Sequence, residues 1–250
     1  MYSDKVIIMN TYTFIKKSLS YYRRTHLGVI LGAAISTAIL IAALVVGDSV
    51  RYSLERLVLD RLGETTWAME TGDRLFPSSL TDRLAQSTGY PAAPLLKTRG
   101  IAIRGNDYRV NSVQVLGVNE RFDSMGGCDL YAHLATNDVI INERLAKKMN
   151  ASVGDDILLR IEKLDAMPKD APLASVDDLS VAQRLRIKAV ASAKEFGRFS
   201  LNANQVEPFT AFVSLPVLQN ILDLENKVNV ALVAAPVKAE NVSLNLTAAL

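Results

Sequence analysis

The chain has 250 residues, with 28 Lys or Arg and 26 Asp or Glu, which gives a formal net charge of +2 at pH 7. Nucleic-acid binding is disfavoured, because no basic patch is interleaved with aromatic residues. The single cysteine, Cys128, excludes an internal disulfide framework, so any folded domain here depends on its apolar core. We interpret Cys128 as a small buried side chain rather than as a redox group.

The first 26 residues predict a cytoplasmic amphipathic helix. Apolar side chains recur at steps of four, three, four and three, at Ile8, Tyr12, Ile15, Leu19 and Tyr22, and therefore share one helical face. Such a helix can lie on a membrane surface with its basic residues toward anionic lipid. Two interpretations stay open, a coupling surface for a cytoplasmic partner and a simple surface anchor. The candidate coupling residues are Tyr12, Ile15, Lys16, Lys17, Leu19, Arg23 and Arg24.

Residues 27–47 contain no charged side chain and predict a transmembrane helix. At about 1.5 Å per residue the stretch is about 31 Å long, close to the thickness of the bilayer core. A buried core helix of this length would carry a polar stripe. A cleaved export signal would have a shorter apolar core and a small-x-small cleavage site. Neither alternative fits, so we expect the segment to stay as an anchor in the lipid bilayer.

The flanking charges predict the orientation of this span. Five basic residues and one acidic residue precede it, whereas the rest of the chain has slightly more acidic than basic residues. Basic residues concentrate on the cytoplasmic side of a first span. We therefore expect a cytoplasmic N-terminus and an extracytoplasmic location for residues 48–250.

The helical pattern continues beyond the span. Residues 48–63 contain no proline, and Gly63 is a plausible C-terminal stop. An apolar face is kept at Val50, Leu54, Leu57 and Val58. We predict a stalk helix over residues 48–63, and one rod of about 54 Å over residues 27–62 that projects about 24 Å from the bilayer.

Small residues spaced by four line one side of the predicted span. They are Gly28, Gly32 and Ser36. Helices associate in lipid through close backbone approach at such residues. We therefore predict a helix-packing face at these three positions.

Residues 64–250 predict a mixed α/β (α+β) extracytoplasmic domain of one or two lobes. Strand patterns cover residues 65–70, 94–105, 108–118, 138–142, 154–164, 184–192, 209–215 and 228–235, and helical patterns cover 77–87, 143–149, 216–224 and 239–250. Residues 105–107, Gly-Asn-Asp, predict a hairpin turn, and residues 163–180 an acidic loop with prolines.

Motifs for catalysis are absent from the sequence. The only histidines, His26 and His133, are isolated from any spacing of Cys or acid residues that would hold a metal. There is no G-x-S-x-G elbow and no P-loop. The paired acids 155–156 and 177–178 are interpreted as residues that open strands and loops. We expect no catalytic residue, no metal, no cofactor and no enzyme activity.

Several segments resemble one family in order and spacing. "THLGVILGAAISTAILIAALVVGDSVRYSL" resembles the first span and stalk of FtsX-like ABC transporter permeases. The rest is similar to their MacB-type periplasmic core domain in "VQVLGVNERF", "DVIINERLAKKMNASVGDDILLR", "FVSLPVLQNILDLENKVNVALV" and the "MPKDAPL" loop.

The resemblance implies a permease subunit in a bacterial inner membrane, paired with a cytoplasmic ABC ATPase and with a second permease copy or homologue. Such a subunit would transmit ATP-driven motion to its outer domain, which acts on an extracytoplasmic protein or lipoprotein cargo. The family has further spans, so we expect this chain to be an N-terminal part with an incomplete outer domain. The alternative is a single-span anchored module for extracytoplasmic binding or assembly.

Overall fold

The computed structural model describes residues 11–164, 180–202 and 206–235. The chain divides into two compact units, residues 1–56 and residues 57–250.

The first unit is helical. Helix α1 (Thr11–Tyr21) is followed after one residue by helix α2 (Arg23–Leu62), whose residues 57–62 already belong to the second unit. The backbone hydrogen bonds Tyr22 N–Ser18 O, 3.0 Å, and His26 N–Tyr22 O, 2.9 Å, bridge this interruption. Helix α2 has 40 residues, or about 60 Å of helix, and is long and apolar enough to cross a membrane. The unbroken helix predicted over residues 27–62 is confirmed.

In its described residues the second unit combines a large sheet with four short helices. Its strands are β1 (Trp67–Glu70), β2 (Phe76–Pro77), β3 (Ala92–Arg104), β4 (Tyr108–Val118), β5 (Asp138–Asn142), β6 (Asp156–Glu162), β7 (Ser180–Ala191), β8 (Thr210–Ser214), β9 (Lys227–Val228) and β10 (Val230–Val233). The helices are α3 (Ser79–Thr88), α4 (Glu120–Gly126), α5 (Glu143–Met149) and α6 (Leu215–Ile221), with a 3-10 turn at Ala193–Glu195. The predicted mixed α/β fold class is confirmed.

Six strands of this sheet close into a barrel. The pairing order β3-β4-β8-β5-β7-β6 returns to its start because β6 also pairs with β3. At the closing point a Cβ on Gly100 would lie 2.6 Å from the carbonyl oxygen of Arg160, so only glycine permits this approach of the two strands. The strand pairs β4–β8 and β5–β7 are parallel, and the other pairs in the barrel are antiparallel.

Strand β3 belongs to two parts of the sheet. Its first residues pair with β10, which pairs in turn with β1, and its last residues form the barrel wall. Helix α3 packs on the β1–β10 side through Leu84, which contacts Ala231. The barrel and the open sheet therefore share one continuous strand.

Two apolar cores fill the second unit. The first lies inside the barrel and contains Leu159, Ile187 and Val213, with α5 and α6 packed against it through Leu145 and Leu218. The second core is aromatic and covers the outer side of β4, β8 and β5. Alternate residues of these strands thus enter one core or the other, as expected for strands covered on both faces.

Most predicted elements of the second unit are present. The hairpin joins β3 to β4 across residues 105–107, and residue 105 has φ 59°. The prediction that the helix over residues 77–87 includes Pro77 is wrong, because Pro77 ends β2 and α3 begins at Ser79. Helix α4 was not predicted. The predicted loop 163–180 falls largely on residues 165–179, which lie outside the described residues, as does the predicted helix 239–250.

Candidate functional site

The predicted coupling residues of the first unit are all exposed. Tyr12, Ile15 and Leu19 lie on one face of α1 with 72%, 55% and 62% of their surface accessible. The basic members of the set, Lys16, Lys17, Arg23 and Arg24, are exposed as well. This surface has the composition that binding to a membrane or to a partner helix requires, and its role stays a prediction.

The predicted packing face of α2 is open. A Cβ built on Gly28 or on Gly32 would meet no atom within 4 Å. Ser36 is exposed in the same way. The room for a closely approaching helix is therefore present, and its occupant stays a prediction.

The predicted stalk residues are also exposed in α2. They are Val50, Leu54, Leu57 and Val58. None of the four is buried, whereas Leu62, at the end of the same helix, packs against the aromatic core. The last turn of α2 therefore contacts the core, whereas the four stalk side chains before it are exposed.

The end of α2 and the residues after it form a fixed connection to the core, which we call the helix junction (residues 62–66). Gly63 has φ 55°, and a Cβ there would lie 2.5 Å from the carbonyl oxygen of Met125, so a larger residue would clash with the backbone. The same carbonyl accepts a hydrogen bond from the amide of Glu64 at 3.0 Å, and Thr66 N donates to Val233 O at 3.0 Å. The chain after α2 is thereby bound to both α4 and β10.

An aromatic cluster packs against the helix junction. Its rings are Phe122, Tyr131, Phe196, Phe199 and Phe212, and neighbouring ring centroids are 4.8–6.0 Å apart. Phe196 also lies 3.1 Å from a Cβ built on Gly63 and 2.7 Å from one built on Gly126. Glycine at these two positions lets the ring pack against backbone.

A buried carboxylate organises the loop beside this cluster. Asp123 is 5% exposed. Its oxygens accept hydrogen bonds from the amides of Leu130 at 3.0 Å, Tyr131 at 2.9 Å and Ala132 at 2.6 Å, and from the Cys128 thiol at 3.4 Å. Among the described residues these hydrogen-bond donors surround the carboxylate, and it forms no ion pair there.

The two ionisable neighbours of Asp123 are held neutral. Burial, together with the hydrogen bond and charge of Asp123, raises the pKa of Cys128 to about 12. Burial also raises the pKa of Tyr131 well above its ordinary value, and its hydroxyl donates to Glu195 O at 2.7 Å. A protonated, half-buried thiol is a poor nucleophile. The geometry therefore agrees with the interpretation of Cys128 as a packing residue.

The 3-10 turn that precedes Phe196 begins with a capping box. The Ser192 side chain accepts from the Glu195 amide, and the Glu195 carboxylate accepts from Ser192 N at 2.9 Å. This backbone hydrogen bond is the main cause of the lowered pKa of Glu195. The ionised carboxylate therefore stabilises the turn that positions Phe196.

We expect the Glu195→Gln variant to lose a pH-dependent part of its stability. Because the folded pKa lies below the unfolded value, the ionised carboxylate stabilises the fold above about pH 4.5, and this contribution disappears as pH falls through the folded pKa. Gln keeps the hydrogen bond without the charge. The difference in free energy of unfolding should stay within about 1 kcal/mol above pH 5.5, since the carboxylate is partly exposed to solvent, and should shrink toward zero as the pH falls through the folded pKa. Urea titrations across this range measure it, and a constant difference at all pH values would contradict it.

The acid pairs considered in the sequence have structural partners. Asp155 bonds Arg104 at 2.8 Å and accepts from Ser152 N at 2.9 Å; the latter bond is the main cause of its lowered pKa. Asp156 lies 3.4 Å from Arg186. These carboxylates connect the start of β6 to the end of β3 and to the middle of β7. Residues 177–178 lie outside the described residues.

His133 has an acidic neighbour that the sequence analysis did not recognise. Its Nε2 lies 3.9 Å from Asp129, and both side chains are about 80% exposed. Across the described ranges, no three His, Cys, Asp or Glu side chains are grouped to hold a metal. The contact is a loose surface pair.

The helix junction and the Asp123 carboxylate were missed in the sequence analysis. Gly63 was recognised as a helix stop, but its contact with Met125 links residues about sixty positions apart. A weak local signal exists for α4, since Asn119 caps it and Gly127 ends it at φ 62°. No local pattern indicates that the carboxylate of Asp123 points into the core.

The sequence matches one family model over most of its length. The model of the MacB-like periplasmic core domain matches residues 27–248. The chain belongs to this family. The resemblance recognised in the sequence is thereby confirmed, and the MacB-like match covers both the apolar helix from Leu27 onward and the second unit.

Solved structures similar to this MacB-like chain include the periplasmic region of MacB from Actinobacillus actinomycetemcomitans, with 13% identity, 76% of this chain and 83% of that chain covered, and a TM-score of 0.45. The extracellular domain of the noncanonic ABC-type transporter YknZ from Gram-positive bacteria has 10% identity and a TM-score of 0.42. The match covers 66% of this chain and 76% of that chain. A domain of a putative permease protein from Porphyromonas gingivalis has 15% identity and a TM-score of 0.35. The match covers 61% of this chain and 60% of that chain. None of the curated proteins matches the chain.

Proposed function

We propose that this chain is a permease subunit, or the N-terminal part of one, in an ABC-type transporter. Its role is to transmit ATP-driven motion from a cytoplasmic ATPase to the extracytoplasmic MacB-like domain. The partner ATPase hydrolyses ATP, and the chain itself is no enzyme. It works beside a second permease copy or homologue in a bacterial inner membrane, with its N-terminus in the cytoplasm.

The continuous helix α2 carries this proposal. It contains no interruption between Arg23 and Leu62. A hydrogen-bonded α-helix resists sharp bending except at proline, at Gly/Ser pairs or where its hydrogen-bond ladder is broken. A displacement at one end of such a helix therefore appears at the other end instead of being lost along the chain.

The helix junction supports the proposal from the receiving end. Amide hydrogen bonds from Glu64 and Thr66 connect the residues after α2 to α4 and β10. Gly63 is packed between a carbonyl and an aromatic ring, and this close packing supports a direct connection between the end of α2 and the core. A flexible glycine-rich linker here would have absorbed the motion.

The exposed face of α1 supports the proposal from the cytoplasmic side. Tyr12, Ile15 and Leu19 form an apolar stripe next to lysines, and only Tyr22 separates this helix from α2. A partner that moves α1 would move the start of α2 directly, because hydrogen bonds bridge the gap.

The experiment is hydrogen–deuterium exchange of the complete permease with its ATPase in lipid nanodiscs. We expect ATP with vanadate to change exchange at the amides of Glu64 and Thr66 and in the residue range 120–132. A complex with a hydrolysis-deficient, non-binding ATPase should show no change, and this complex is the control. Unchanged exchange in the active complex would overturn the proposal.

A further inference from the structure

Three arginines form a diagonal row on the outer wall of the barrel. Ile101 of β3 pairs with Arg160 of β6, so Arg99 is the diagonal neighbour of Arg160. Leu158 of β6 pairs with Arg184 of β7, so Arg184 is the diagonal neighbour on the other side. Diagonal neighbours across antiparallel strands are about 7–8 Å apart, which sets the spacing of this arginine row (Arg99, Arg160, Arg184).

The row points away from the barrel interior. Leu159 and Ile161, which flank Arg160 in sequence, are fully buried inside the barrel. Successive strand residues point to opposite sides, so Arg160 faces outward. Arg99 and Arg184 are exposed in the same way.

The side chains of the row have no partners within the part of the chain that the structure describes. No hydrogen bond, ion pair or ring contact involves Arg99, Arg160 or Arg184 among those residues. Two acids share this face: Asp156 is paired with Arg186, and Glu162 makes an interaction of its own. The face therefore keeps a net positive charge along the row.

Apolar side chains accompany the arginines on this outer face. Ile101, Ile103 and Leu158 are partly exposed there, where an ordinary solvated strand would carry polar residues. Arginine with adjacent apolar surface is the composition that protein-binding sites favour over the rest of a surface. A purely ionic ligand such as a phosphate polymer would make no use of these apolar side chains.

We propose that the arginine row binds an extended acidic segment of a protein partner. In an extended segment, alternate side chains lie about 6.6–7 Å apart on one side, which matches the spacing of the row. Carboxylates on alternate residues would each meet one guanidinium, whose planar donors suit a carboxylate. The segment's other contacts would cover Ile101, Ile103 and Leu158. This surface does not depend on motion passing through α2.

The experiment measures binding of a fluorescein-labelled peptide of alternating aspartate and valine to the full chain in phosphatidylcholine nanodiscs, by fluorescence anisotropy. We expect saturable binding that weakens with salt. A triple variant, R99Q/R160Q/R184Q, should bind at least about tenfold more weakly, since each exposed ion pair contributes a factor of about two to five. The matched control, R83Q/K147Q/K148Q, removes three exposed charges from α3 and α5 and should bind within about twofold of the unchanged chain.

Three outcomes would overturn the proposal. The first is an absence of peptide binding to the unchanged chain. The second is equal loss of affinity in the two triple variants, which would show that only total charge matters. The third is equal or tighter binding of inorganic polyphosphate, or of a peptide with the same composition but grouped aspartates, which would show that spacing and apolar contacts have no part.

Discussion

The Leu57→Pro variant is expected to hydrolyse ATP in its complex while the second unit no longer responds. Proline removes a helical hydrogen bond and clashes with the preceding turn, at a cost of about 3 kcal/mol or more. Leu57 is exposed, so the core loses little packing and the main effect falls on the continuity of α2. The ATPase rate and the ATP-dependent hydrogen exchange at Glu64 and Thr66 are the two measurements.

Leu57→Ala is the control for the side chain. Alanine keeps the helix and removes the same exposed leucine, so both the ATPase rate and the exchange response should remain. If Leu57→Pro also kept the full exchange response, helix continuity would be irrelevant to coupling. If it abolished ATP hydrolysis, the ATPase would depend on the second unit more directly than we propose.

The Asp123→Ala variant is expected to lose about 3 kcal/mol or more of its stability. Three backbone amides of the loop 130–132 donate to this carboxylate, and alanine leaves them without an acceptor in a buried place. The chain contains one tryptophan, Trp67, which lies in β1 of the second unit and reports on its unfolding. Urea titration followed by its fluorescence gives the free energy of unfolding of this unit.

Asp82→Ala provides the matched control. Asp82 also forms a short contact, 2.6 Å to Arg121, but both side chains are about half exposed. Such a surface pair contributes about 1 kcal/mol or less. Equal destabilisation by the two substitutions would show that Asp123 does not organise the loop.

Local structure was largely predictable because its causes are local. The β3–β4 hairpin follows from a Gly-Asn-Asp turn between two alternating strands, and α5 follows from an asparagine cap and a helical period. The end of α2 follows from a glycine that tolerates φ 55°. In each case a few neighbouring residues decide the conformation.

Barrel closure was not predictable because its causes are distant in sequence. Strand β6 pairs with both β3 and β7, and the periodicity of β6 alone says nothing about its neighbours. The parallel pair β4–β8 joins residues almost one hundred positions apart. Alternation shows that these strands have two faces, but does not show which core covers each.

The candidate site also contains a part that could be predicted from the sequence and a part that could not. The exposure of the α1 and α2 residues agrees with their patterns, since a surface can be recognised from polarity and period. The contact of Gly63 with Met125 and Phe196 could not be recognised, because it depends on three separate segments meeting in space. The exposed residues of α1 and α2 were thus predictable from the sequence, and the packing around Gly63 was not.

The shared strand β3 constrains how the second unit can move when force reaches it through α2. Strand β1 follows the helix junction directly, and its hydrogen bonds lead through β10 into the same strand that forms the barrel wall. Sliding of the barrel against the open sheet would break that ladder or bend β3 sharply in its middle. A movement in which the barrel and the open sheet tilt or rotate together, as one body, therefore leaves every strand pairing intact.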